Sequence, residues 1–166
     1  MKYLLAFFLY LLSVYFFFSL IFFDNQWHYV QPLLITVLLI YFNTSHSWLP
    51  YLYALLAGFL VDSVSAVFGL QALIFITIIF CLRTLQYTII TFRNILSVII
   101  LSVFSLVLFW LLFYILDFIM EWPYYDLSQL DWGPWSRGLL INFSLIIVLH
   151  LLYYNLWLKK HERQSF

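Results

Sequence analysis

Asp62 stands alone between two apolar runs in the stretch AGFLVDSVSAVFGLQAL, Ala57 to Leu73. A carboxylate in an apolar medium is costly unless a partner answers it. Two chemistries suit it. It can cap the following helix, because aspartate accepts hydrogen bonds from unpaired N–H groups and favours the positive end of the helix dipole. Alternatively, it is a carboxylate held for an ion or a protein partner. Arg83, Asn142 and His150 also interrupt apolar runs. An arginine so placed either faces an anionic substrate or carries its guanidinium along its stem to an interface, and the nearness of Arg83 to the end of its run favours the second. Asn142 reads as an interhelical hydrogen-bond donor. His150 lies about two turns before Lys159, which favours a neutral imidazole bonded to a neighbouring helix.

These groups do not assemble into a catalytic set. Asp117 and Glu121 share one helix face at a spacing of four, where like charges repel mildly and are usually solvated. His28 and His46 belong to loops on opposite sides and cannot join His150. The single cysteine, Cys81, excludes an intrachain disulfide and a CxxC metal site, and reads as a small buried apolar residue. No HExxH, GxSxG or phosphate-loop pattern occurs. The expectation is a protein that is not an enzyme, with no cofactor, no metal and no nucleic-acid partner.

Hydrophobic residues make up 66% of the 166 residues and charged residues only 8%. Mean hydropathy is +1.04. Soluble domains are about half apolar and a quarter charged, so composition predicts an all-α integral membrane protein. Each hydrocarbon-spanning helix needs about 20 residues, which leaves room for one bundle and no separate soluble domain. The N-terminal run Tyr3 to Phe23 follows a lysine as a signal peptide would, but it is too long and lacks a small-x-small cleavage site, so it is expected to be a retained first span.

The runs predict six helices in a single domain, 1–166, over approximately 3–23, 29–43, 48–62, 68–88, 95–120 and 138–158. Pro32 and Pro50 lie near the starts of the second and third, where a first helical turn tolerates proline. Those two are short for a span, and are expected to be re-entrant or to borrow interfacial residues. Merging the third and fourth across Asp62 would give a helix too long for ordinary tilt to absorb. With six crossings, Lys2, Arg83, Arg93 and the tail KKHER, Lys159 to Arg163, fall on one side. Asp24, Asp62, Glu121, Asp126 and Asp131 fall on the other, with only Arg137 against the trend. The basic side is expected to be cytoplasmic, with both termini there.

Ala54 and Gly58 form a small-xxx-small pair that lets two helices approach closely, and Asp62 lies one turn further on the same face. The succession PLLITVLLIYFN, then GFLVDSVSAVFGLQAL, then an apolar run closing on FRN, resembles the MreD family of the bacterial rod-shape system. That family shows a Gly-x-x-x-Asp pair followed seven or eight residues later by a Leu-Gly or equivalent pair. Gly58, Asp62 and Gly69 fit it, while Ser65-Ala66 stands where the family often has Ser-Gly and Phe68 replaces the leucine. The resemblance implies a non-enzymatic scaffold of the inner membrane that binds an MreC-like bitopic protein. It would support lateral peptidoglycan synthesis by the wall glycosyltransferase and transpeptidase. It also implies a fold similar to the substrate-binding subunits of energy-coupling-factor vitamin transporters, which supplies the alternative function.

The segment Glu121 to Arg137 concentrates Trp122, Tyr124, Tyr125, Trp132 and Trp135 among Asp126 and Asp131, with Pro123 and Pro134 within it. It reads as an outer loop. Its aromatics suit either a belt at the headgroup level or the anchors of a docking surface for an extracytoplasmic partner. The basic tail suits a topology signal or contact with anionic lipid in the bilayer.

Overall fold

Runs of Leu, Ile, Phe and Val too long for strands, with proline only at their starts, dictate helices, and helices are what form. The computed structural model describes residues 2–22, 30–44, 46–64, 68–88, 95–119 and 132–153. These contain six: α1 (Lys2–Phe22), α2 (Pro32–Asn43), α3 (Leu49–Asp62), α4 (Leu70–Thr88), α5 (Ile95–Ile119) and α6 (Trp132–Tyr153). The segments Leu70–Tyr87 and Leu96–Leu116 are long and apolar enough to cross a membrane, and the other helices carry shorter apolar stretches.

Two helix starts differ from the sequence expectation by three residues or more. α2 opens at Pro32 rather than at residue 29, because the Gln31 backbone is non-helical and the proline ring presets the first turn. α6 opens at Trp132 rather than at 138. Pro134 does not fence off a loop there. It is the third residue of the helix, where its missing N–H would have had no intrahelical acceptor anyway.

α2 is the centre of the bundle. Eight consecutive residues, Leu33 to Ile40, are buried, so every side of the helix meets protein. A helix apolar all round suits that position. It packs against α1, α3 and α6, and more lightly against α4. Its 12 residues cover only about 18 Å, a length that enclosure by longer neighbours permits.

The other helices bury a stripe each. α1 presents Ala6, Tyr10 and Ser13, with the Tyr10 ring edge-on to Tyr53 of α3 at 5.2 Å. On this helix Phe17 joins the core, whereas Phe7, Phe8, Phe16 and Phe18 face outward. α5 buries Val98, Leu101, Ser102, Ser105, Leu106, Phe109 and Trp110, the three-and-four spacing of one helical face. α6 buries Gly138, Asn142 and Ile146, one residue per turn. α5 bridges α4 and α6, and the α3–α4 pair is the most extensive contact in the bundle.

That pair is close because Gly58 has no side chain. A Cβ at position 58 would run into the Cα and backbone N of Ala72, and would lie 2.8 Å from the Ala72 Cβ. The obstruction is backbone, which cannot rotate away. Gly58→Ala is therefore expected to push the helices apart at an overpacking cost of about 1–3 kcal/mol. Thermal unfolding of the purified protein should show a midpoint several degrees lower. Adding Ala72→Gly should not restore it, because the atoms struck belong to the main chain.

Candidate functional site

The candidate site begins where α3 ends. Asp62 is the last residue of α3 and is only 2% exposed. Ser63 prolongs the helix by one bond, its N–H donating to the Phe59 carbonyl at 2.9 Å, and its hydroxyl returns to the Leu60 carbonyl. The chain then re-enters through Phe68 and Gly69. Gly69 has φ +91°, a left-handed conformation that favours glycine. Phe59 and Phe68 stack at 5.3 Å across the turn.

Gly69 occupies the N-cap position of α4, where a side-chain oxygen usually receives the N–H groups of the second and third helical residues. Glycine has none to offer, and the preceding helix supplies it. One Asp62 carboxylate oxygen, Oδ1, accepts the Gln71 N–H at 2.9 Å. The other, Oδ2, accepts those of Gly69 at 3.0 Å and Ala72 at 3.2 Å. Hydrogen bonds to a carboxylate are stronger than neutral ones, and the helix dipole adds to them. The helix cap, one of the two chemistries open to Asp62, is present. Gly58 sets the distance at which it works, since the residue it touches, Ala72, is one whose N–H Asp62 holds. Ala54 lies buried one turn earlier on the same face. Ala54, Gly58, Asp62 and Gly69 are thus one α3–turn–α4 unit.

A second polar junction lies at the start of α2. Asn142 is 1% exposed, and its Oδ1 accepts the Gln31 backbone N–H at 3.0 Å, an N–H that no turn of α2 can use. In this bond, which joins α6 to the N-cap of α2, Asn142 is the acceptor. Near the other ends of these helices, the Tyr41 hydroxyl donates to Gln86 Oε1 at 2.6 Å, tying α2 to α4.

His150 departs from expectation. Its ring meets the Phe42 ring edge-on at 6.1 Å, and its buried Nδ1 has no hydrogen-bond partner among the described residues. Aromatic packing holds it, in place of the anticipated bond to a neighbouring helix. Cys81 is a free, half-buried thiol on α4, less enclosed than a core residue. No group of His, Cys, Asp and Glu among the described residues could hold a metal ion.

The aromatic segment is divided by the early start of α6. Trp132 and Trp135 belong to the first turns of that helix rather than to a loop. Trp122, Tyr124, Tyr125 and Asp126 lie outside the described residues, as do Glu121, Asp131 and the basic tail.

Sequence reasoning missed the serines of α5. Ser102 and Ser105 are fully buried and satisfied within their own helix, by the carbonyls of Val98 at 2.6 Å and Ser102 at 2.8 Å. The available signal was their spacing with Leu101 and Leu106, which places small hydroxyls on the packing face of an otherwise bulky helix. Comparison with protein-family models, curated proteins and solved structures gives no match.

The cap predicts a graded response at position 62. Asp62→Asn keeps one acceptor oxygen and should weaken the junction, whereas Asp62→Leu strands all three N–H groups. Losing an ordinary cap costs about 0.5–2 kcal/mol, and orphaning buried donors adds to it. Hydrogen exchange at the Gly69, Gln71 and Ala72 amides should accelerate in the order wild type, Asn, Leu.

Proposed function

We propose that this chain is a non-enzymatic scaffold of the bacterial rod-shape machinery. On this reading it is a six-span protein of the cytoplasmic membrane, similar to MreD, with both termini cytoplasmic. It binds an MreC-like bitopic partner and so supports lateral peptidoglycan synthesis by the associated glycosyltransferase and transpeptidase.

The observation that carries the reading is the unity of Gly58, Asp62 and Gly69. These residues carry the resemblance in sequence, and they form one helix junction through a close approach, a left-handed turn and a shared carboxylate. A motif devoted to joining helices suits a protein whose work is to present a shaped surface. The outward apolar faces suit a bilayer. Of the segments in α4 and α5 long enough to span it, 39% and 33% is buried, whereas the core helix of a soluble protein would be mostly enclosed.

The vitamin-transporter alternative calls for an outward pocket lined by Trp, Tyr and Asn. Asn142 is instead engaged by the Gln31 N–H, and side chains of α2 fill the middle of the bundle. Both favour the scaffold. Its mechanism is differential binding: the bundle holds a partner's transmembrane helix and favours one state of the synthase assembly by its difference in affinity for the two states.

Affinity purification of the tagged protein from native membranes in mild detergent should recover a bitopic coiled-coil protein and wall-synthesis enzymes. Recovery of paired ATPases with a coupling membrane subunit would transfer the chain to the transporter class. For topology, fluorescent-protein fusions at either terminus should glow, and alkaline phosphatase fusions at the same points should be inactive. Opposite behaviour at the two ends would exclude an even number of crossings.

A further inference from the structure

Arg83 is a charged side chain that the scaffold reading leaves without a task. Its guanidinium carbon lies 6.0 Å from the Tyr51 ring centroid and 5.7 Å from that of Tyr87, so the cation is set between two aromatic rings. Its Nη1 donates to the Ser47 carbonyl at 3.3 Å, across from α4 to the turn that opens α3. No acid among the described residues pairs with it. Asp62, at the opposite end of α4, is bound to the first amides of that helix, roughly 16 Å of helix away.

We infer that Arg83, set between Tyr51 and Tyr87 beside the exposed His46 and Trp48, binds the phosphate of an anionic phospholipid headgroup in the cytoplasmic leaflet. The inference rests on the six-span reading, which places this end of α4 at the cytoplasmic surface. Three features carry it. A guanidinium has five N–H groups in a planar fork that matches phosphate bidentately. The Ser47 carbonyl cannot use all five. The level is right, because Arg83 meets Ser47 where α3 begins and about one turn before α4 reaches Thr88, at the rim of the bundle. The surroundings are those of a headgroup region: Trp48 is 60% and Tyr87 75% exposed, and such rings settle where an apolar body and a polar edge are both accommodated. The negative potential of that leaflet supplies the anion.

The first test uses the unaltered full-length protein in nanodiscs containing a photoreactive phosphatidylglycerol. Adducts should concentrate on peptides carrying residues 46–51 or 83–87, and adducts spread evenly or confined elsewhere would overturn the site. In detergent, native mass spectrometry should show phosphatidylglycerol retained in preference to phosphatidylcholine. Arg83→Gln should lower that retention by about fivefold, the effect expected of one basic residue near a charged surface. Arg83→Lys, which keeps the charge but loses the fork, should fall between, and Arg137→Gln at the other end should change nothing. Equal retention by wild type and Arg83→Gln would overturn the proposal. So would displacement of the lipid by millimolar inorganic phosphate, which would make this a site for the soluble ion. Alkaline carbonate extraction separates the two failures. Release of the protein from membranes removes the six-span reading itself, whereas a protein that stays embedded and gives no adducts removes the lipid site alone.

Discussion

The carboxylate of Asp62 is the constraint from which the arrangement of α3 and α4 follows. It terminates one helix and starts the next. Its burial is tolerable only because three backbone N–H groups surround it, and those N–H groups need it because the residue at their cap position is glycine. Neither half works without the other. A serine or aspartate at position 69 would supply its own cap oxygen, but φ +91° strains any residue with a Cβ. Moving the acceptor into the preceding helix meets both demands, on condition that the two helices nearly touch. Gly58 satisfies that condition.

Close approach at one point fixes the relation of the longest contact in the bundle, and the rest is fitted around it. With α3 and α4 locked, their buried faces, Ala54, Ala57 and Gly58 on one and Ile74, Phe75, Ile78, Ile79 and Leu82 on the other, define a wall against which α2 lies. α2 can then be short and wholly apolar. Its exposed N-terminal amide is taken by Asn142, from a residue 111 positions away in the chain. The two junctions use one device: a buried side-chain oxygen on one helix answers N–H groups at the start of another. In an apolar bundle there is little water to do so, and unsatisfied amides are correspondingly expensive.

How legible this was in the sequence depended on whether the physics was local. Helix number and most helix limits follow from run lengths and proline positions, which are local properties. The Ala54–Gly58–Asp62 face follows from a spacing of four. The start of α6 was not legible, because a proline in a polar, aromatic stretch looks the same whether it closes a loop or opens a helix. Only the hydrogen bonds it omits distinguish the two. The central position of α2 was not legible either. A 12-residue apolar run reads equally as a re-entrant segment or a truncated span, and what decides is enclosure by helices far away in sequence. The bond from Gln31 to Asn142 is similarly non-local, as is the packing of His150 on Phe42, where spacing suggested a polar partner. The phenylalanines of α1 could be sorted only once the partner helix was in place, since without water between helices burial gives little preference for one face.

The placement of polar groups bears on what such a bundle can do. Asp62, Asn142, Ser102 and Ser105 each make hydrogen bonds to main-chain atoms of this same chain. A site that recognises a small polar substrate needs the reverse: convergent groups aimed into a space. These four groups are turned on the fold itself, and the two ends of the α3–α4 pair differ in kind. One is closed by a carboxylate on backbone amides. The other carries a guanidinium, tyrosines and an exposed tryptophan at its rim. Interior polar groups thus tie one helix to the next, whereas the cation and its aromatic neighbours stand at the rim, where no helix end needs them.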